Sequence, residues 1–228
     1  MGPSLSHFVL GPGRSYIFVD NTNVFIEGQR AAAAIKGREW AQRYRLDFGA
    51  LFRHLTPGGG SVFFVDAGEP FPKLYGSEPP RLDALWRQLE DMGVGVKIHQ
   101  RSFFGKEKRV DTHLCIDVSR LIYKNKPKPD GEIVIVAGDG DYLDLIGELR
   151  NLSWPFRVAF WAVKGVMGGA AKEIRNLPEF NDLAPHLEKV GRFMPERFPH
   201  PYGERDWSKE VLYHETERAP KRREHRID

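Results

Sequence analysis

Two periodicities alternate along this chain. Short apolar runs rich in Val, Ile and Phe, bounded by turn residues, read as strands: "SYIFVD" at 15–20, "SVFFVD" at 61–66, Val94–His99, Ile133–Ala137 and Phe156–Val163. Between them, apolar residues recur every three or four positions, the spacing of one buried helical face. Helices are therefore predicted over Asn21–Ile35, Asp47–Leu55, Arg81–Met92, Val110–Tyr123, the segment after Ala137, and Ala170–Leu177. The "AAAA" at 31–34 strengthens the first of these. Each proline between Pro70 and Pro80 removes a backbone donor, so that segment is expected to be irregular. Strands alternating with helices predict an α/β domain of three layers, with a mostly parallel central sheet between helices. The pattern divides the chain into a Gly- and Pro-rich leader at 1–14, a domain at 15–188 and an irregular extension from 189 that ends in "KRREHRID".

Composition narrows the classes. At 228 residues one domain with appendages is expected, burying about 70% of its unfolded surface. A formal charge of +3 permits a polyanionic partner without requiring one. The single cysteine, Cys115, excludes an intrachain disulfide and a thiolate metal site, and fits a reducing compartment. No apolar run approaches the ~18 residues that cross a membrane, so a soluble, cytoplasmic protein with no membrane partner is expected, with a homo-oligomer allowed.

Acids then change the picture. Ile133–Ala137 reads as a strand buried on both faces, yet Asp139, Asp141 and Asp144 follow it at once. In parallel sheets ligands bind beyond the carboxyl ends of the strands. Asp20 ends the first strand and Asp139 follows the fourth, so if these strands are neighbours their carboxylates meet at one crevice. Asp66 also ends a strand-like run, so position alone does not choose the set. On the helix from Val110, the residues Val110, Leu114, Val118, Leu121 and Ile122 share one face, and Asp111 lies in that face at its N-terminal end. Asp117 falls about 120° further round, on the flank. Each acid alone has a plain structural use: Asp111 and Asp139 as helix caps, Asp144 as a solvent-facing residue.

Grouping changes the energetics. Two carboxylates 4 Å apart repel by about 4 kcal/mol at an effective dielectric near 20, so Asp20, Asp111, Asp139 and Asp141 at one sheet end are not a stabilising device. A divalent cation removes the objection. Mg²⁺ or Mn²⁺ takes oxygen ligands, retains waters and leaves positions for phosphate oxygens. The cluster predicts metal-dependent phosphoryl chemistry.

Three segments, "YIFVDNTNVFIEG", "KRVDTHLCIDVSRLI" and "VIVAGDGDYLDLIGELR", resemble in order and spacing the motifs of the NYN domains, the LabA-like branch of the PIN-like ribonuclease fold. The likeness extends from Ser15 to about Leu187 through "RVAFWAVKG" and "AAKEIRNLPEFNDL". It implies a metal-dependent ribonuclease with Asp20, Asp111, Asp139 and Asp141 as the Mg²⁺ or Mn²⁺ carboxylates. It further implies that Asn23 holds the Asp20 turn or contacts a phosphate, and that Asp117 is a ligand or a support behind the ligands. Ala137 departs from the Ser or Thr often found there.

For the RNA, "QRSFFGKEKR" at 100–109 sets Arg101, Lys106, Lys108 and Arg109 among Phe103 and Phe104 just before Asp111. Cations with interleaved aromatics suit phosphates and bases, although an edge strand guarded by lysines has the same composition. His113 is expected on an exposed helix face, and Cys115 in core packing. Two other classes compete. An RNA- or partner-binding module would keep the fold without the chemistry. A haloacid-dehalogenase-like phosphatase would need an acid two residues after Asp20, where Thr22 stands.

Overall fold

The computed structural model describes residues 13–56, 58, 60–77, 84–99, 109–124, 131–163 and 171–194. In chain order these form β1 (Arg14–Asp20), α1 (Asn21–Lys36), α2 (Arg38–Ala41), β2 (Tyr44–Leu46), α3 (Phe48–Leu55), β3 (Phe64–Asp66), β4 (Glu69–Phe71), β5 (Lys73–Ser77), α4 (Ala84–Asp91) and β6 (Gly95–His99). Then follow α5 (Val110–Lys124), β7 (Gly131–Val136), a 3₁₀ turn at Gly140–Tyr142, α6 (Leu143–Asn151), β8 (Phe156–Phe160), α7 (Lys172–Arg175), β9 (Phe180–Asp182) and β10 (Gly191–Phe193).

The central sheet has six strands in the order β6-β5-β1-β7-β8-β9, every pair parallel, and helices flank it. From β1 the chain builds outward through β5 to β6, then returns to β1's other side and builds through β7 and β8 to β9. The switch point is the β1/β7 boundary, the place where open parallel sheets bind ligands beyond their strand ends. Tyr16, Ile17, Phe18 and Val19 of β1 and Ile133–Val136 of β7 are completely buried, as expected for central parallel strands covered on both faces. On α5, Val110, Leu114, Val118, Leu121 and Ile122 are all buried, each contributing about 1.5–3 kcal/mol of apolar burial.

The structure corrects three local expectations. "SVFFVD" does not join the central sheet: β3 pairs only with β4, antiparallel. The adjacent central strand comes instead from the proline segment, where β5 pairs with both β1 and β6. Pro70 sits in the two-stranded ribbon and Pro72 just before β5, where its carbonyl accepts from Gly95, so neither leaves a central strand short of a donor. Finally, residues 191–193, expected to be irregular, form β10 and pair antiparallel with β2.

Candidate active site

At the β1/β7 boundary two turns face each other. Asp20 is the last residue of β1 and the N-cap of α1; its Oδ1 accepts the Asn23 N–H at 3.1 Å. The Asn23 side chain reaches across to β7's end, its Oδ1 accepting the Gly138 N–H at 3.0 Å. Gly138 has to be glycine, because a Cβ there would lie 2.0 Å from the Phe160 ring. Asp139 then caps the 3₁₀ turn, accepting the Asp141 N–H at 3.3 Å, and is exposed together with Asp141. The turn closes with Tyr142, fully buried, whose phenol donates to Asp20 Oδ2 at 2.9 Å. Both oxygens of Asp20, itself only 8% exposed, are thus held by donors from this chain. Burial, reinforced by the Asp20 carboxylate, pushes the Tyr142 phenol far above the ordinary tyrosine range, so it stays a donor.

Asp111, half-buried in the first turn of α5, completes the group. Its charge acts on Tyr142 together with that of Asp20, and on Cys115 together with those of Asp141 and Asp144. Burial, reinforced by those three acids, pushes the Cys115 thiol up to about 11. Asp144 is exposed, as expected. The residue preceding α5, Arg109, is exposed and adopts a left-handed φ of 82° while its carbonyl accepts the His113 N–H.

The carboxylates therefore gather at one edge. Among the described residues, however, no three acid, histidine or cysteine side chains stand close enough to grip one ion together.

Other expected positions fall elsewhere. Asp66 accepts from Tyr16 at 3.3 Å and pairs with Arg14 at 3.6 Å, which puts it at the amino end of β1, opposite Asp20. Asp117 is buried within cations: Lys97 Nζ lies at 2.5 Å and Arg120 at 3.2 Å, the Tyr75 phenol donates at 2.7 Å, and Lys73 lies at 3.7 Å. His113, expected to be exposed, is half-buried with its Nδ1 2.9 Å from His99 Nε2 and its ring against Tyr75, because β6 closes that flank of α5. Arg101 and Lys108, with Phe103, Phe104 and Lys106, lie outside the described residues. Sequence reasoning missed Tyr142 as a partner of Asp20. The available signal was a tyrosine closing the acid-rich turn, where a phenol adds a donor that a phenylalanine lacks.

Residues 14–182 match the family model described as the NYN domain. The chain belongs to the NYN-domain family. No curated protein and no solved structure gives a significant match. The NYN domain is a PIN-like ribonuclease family, whose members typically use divalent metals and in general act on RNA. The six-stranded parallel sheet flanked by helices seen here is consistent with the PIN-like NYN fold. Among the described residues no helix of this NYN domain is long and apolar enough to cross a membrane.

Proposed function

We propose that this protein is a metal-dependent ribonuclease that hydrolyses RNA phosphodiester bonds at the β1/β7 edge. One observation carries the reading: the turn after β1 and the turn after β7 are stitched together by Asn23 and Tyr142, with Asp20, Asp139 and Asp141 upon them and Asp111 alongside. Asp20, Asp111, Asp139 and Asp141 are the residues that would hold Mg²⁺ or Mn²⁺. When bound, the ion would supply Lewis acidity toward a phosphodiester oxygen and a bound water of lowered pKa.

The chain's own part is placement. The Asn23 N–H and the Tyr142 phenol fix the plane of the Asp20 carboxylate, removing rotational freedom that would otherwise be lost on binding. Asp139 is fixed by its own turn and remains open to solvent, as a residue meeting an incoming substrate must. Arg109, exposed just before α5, would set a cation against a phosphate beside Asp111, and Arg101 and Lys108, which precede it in the sequence, are proposed to add phosphate contacts. Asp117 supports the site from behind: its oxygens already face Lys97, Arg120 and Tyr75, so it holds α5 and therefore Asp111 in place.

The test is incubation of pure protein with labelled single-stranded and structured RNA, with and without Mn²⁺, beside Asp139→Asn and a phosphomonoester. Cleavage that needs metal and falls on the order of 10³-fold in the variant, about 4 kcal/mol of barrier, is the expected result. Turnover of the monoester alone overturns the reading, and RNA binding without cleavage leaves a binding module. Mn²⁺ should also raise the melting midpoint of the wild type, and Asp139→Asn should stabilise the metal-free protein.

A further inference from the structure

We propose that the surface formed by the end of α1, α2 and β10 is a second contact for single-stranded RNA, remote from the acidic edge. Residues 36–47 and 188–193 hold six cations against three acids, an excess equal to the formal +3 of the whole chain. Two aromatic rings stand among them. The half-buried Trp40 ring has the Arg43 guanidinium 4.6 Å and the Lys36 ammonium 5.8 Å from its centroid, and it meets Phe193 edge-to-face at 5.4 Å. Lys36 also lies 4.8 Å over Phe193.

Part of this set is a clasp that fastens β10. Arg43 donates to the Met194 carbonyl, Met194 N–H donates back to Arg43, and Lys36 pairs with Glu188. Arg45 turns inward to the carbonyls of Gln42 and Tyr44. The clasp does not account for Arg38, which is exposed and has no acidic partner among the described residues, or for Arg192, whose side chain pairs with Asp47 at 2.6 Å yet is 76% exposed. Cations around aromatic faces are the arrangement that grips a single strand: cations meet phosphates, and base stacking adds ~1–3 kcal/mol per base. An acidic protein would need the cations and not the rings.

Distance gives the surface a function. α1 begins directly after Asp20 and ends at Lys36, so its 16 residues set the two sites about 24 Å apart. That is roughly seven stacked nucleotides at ~3.4 Å each, so only longer RNA engages both. The inference rests on RNA being the substrate of the acidic edge.

Binding is measured on the full chain without metal, by anisotropy of labelled U4 and U16, so that it does not depend on cleavage. Arg38→Ala/Arg192→Ala should weaken U16 roughly 10-fold and flatten its log K against log salt slope by about 1.4, leaving U4 unchanged. Arg38→Glu alone should act in the same direction should the double variant melt early. Trp40 fluorescence should change with U16, assigned by its loss in Trp40→Phe. Unchanged U16 affinity, equal losses for U4 and U16, or displacement of U16 by polyglutamate as readily as by unlabelled RNA overturns the proposal. Failure of the ribonuclease reading would appear separately, as absence of Mn²⁺-dependent cleavage.

Discussion

Asp111 and Asp117 stand six residues apart on α5, and their surroundings are opposite. Asp111 shares its neighbours with other acids: with Asp20 it acts on the Tyr142 phenol, and with Asp141 and Asp144 on the Cys115 thiol. Asp117 is 4% exposed and meets Lys97, Arg120, Lys73 and a phenol. Burial alone would raise the Asp117 pKa, but hydrogen bonds from Lys97 and Tyr75 and the charges of Lys73 and Lys97 outweigh it and hold the carboxyl below its usual range. An acid already matched by cations stabilises the fold. Acids crowded together cost stability until something positive arrives, which is why we read the first kind as scaffold and propose the second as the site.

The largest effect should come from removing the matched acid. Asp117→Asn leaves Lys97, Lys73 and Arg120 beside a neutral amide, and a loss of about 3–5 kcal/mol is expected in urea unfolding at pH 7. A carboxyl with a depressed folded pKa gives stability that is present above its unfolded value, about 3.9, and is lost as pH falls through the folded value. The difference between wild type and variant should therefore shrink below about pH 4. Asp111→Asn should leave the melting midpoint unchanged or higher. An Asp117→Asn protein as stable as wild type, with its Mn²⁺ response gone, would break the comparison.

A smaller effect sharpens the site half. Tyr142→Phe removes one donor from Asp20 without changing the ring, and should cost about 1.5–3 kcal/mol of stability, as hydrogen bonds to charged groups do. Mn²⁺ affinity in calorimetry should weaken about 10-fold, the lower end for loss of a group that orients a ligand. Unchanged affinity would mean that the phenol only fills the core.

The acids at β1 and β7 were legible because each follows an apolar run at a strand's carboxyl end, a local pattern. What was not legible depended on partners distant in sequence. "SYIFVD" and "SVFFVD" are nearly the same locally, yet the first is the middle of the sheet and the second half of a ribbon, since the pairing surface chooses and the residues do not. Prolines hid β5 because a proline count says nothing of which N–H groups the sheet needs. His113 was misplaced for the same reason: helix geometry gives its angle, but only β6 supplies the His99 that covers it. Asp117's flank position was legible; its cations, from β5, β6 and one turn along α5, were not.

Glu27 lies between the two kinds of acid and tests where the boundary falls. It is 6% exposed on α1, one turn from Asn23, and among the described residues its ion-pair partner is Arg30. Burial pushes its pKa up to about 7 against the pull of Arg30, so here one cation does not outweigh desolvation. The folded protein then binds the proton more tightly than the unfolded chain, and stability is greatest below the unfolded value and falls as pH rises toward 7. At ~1.36 kcal/mol per unit the fall is bounded by roughly 3 kcal/mol. Glu27→Gln removes the charge and should match wild type at pH 5 while exceeding it by about 1 kcal/mol at pH 8, once the lost Arg30 pair is allowed for. Urea unfolding of both proteins at the two pH values decides it. A variant weaker than wild type at pH 8 would mean that one half-buried arginine suffices, and Glu27 would belong with Asp117 among the matched acids.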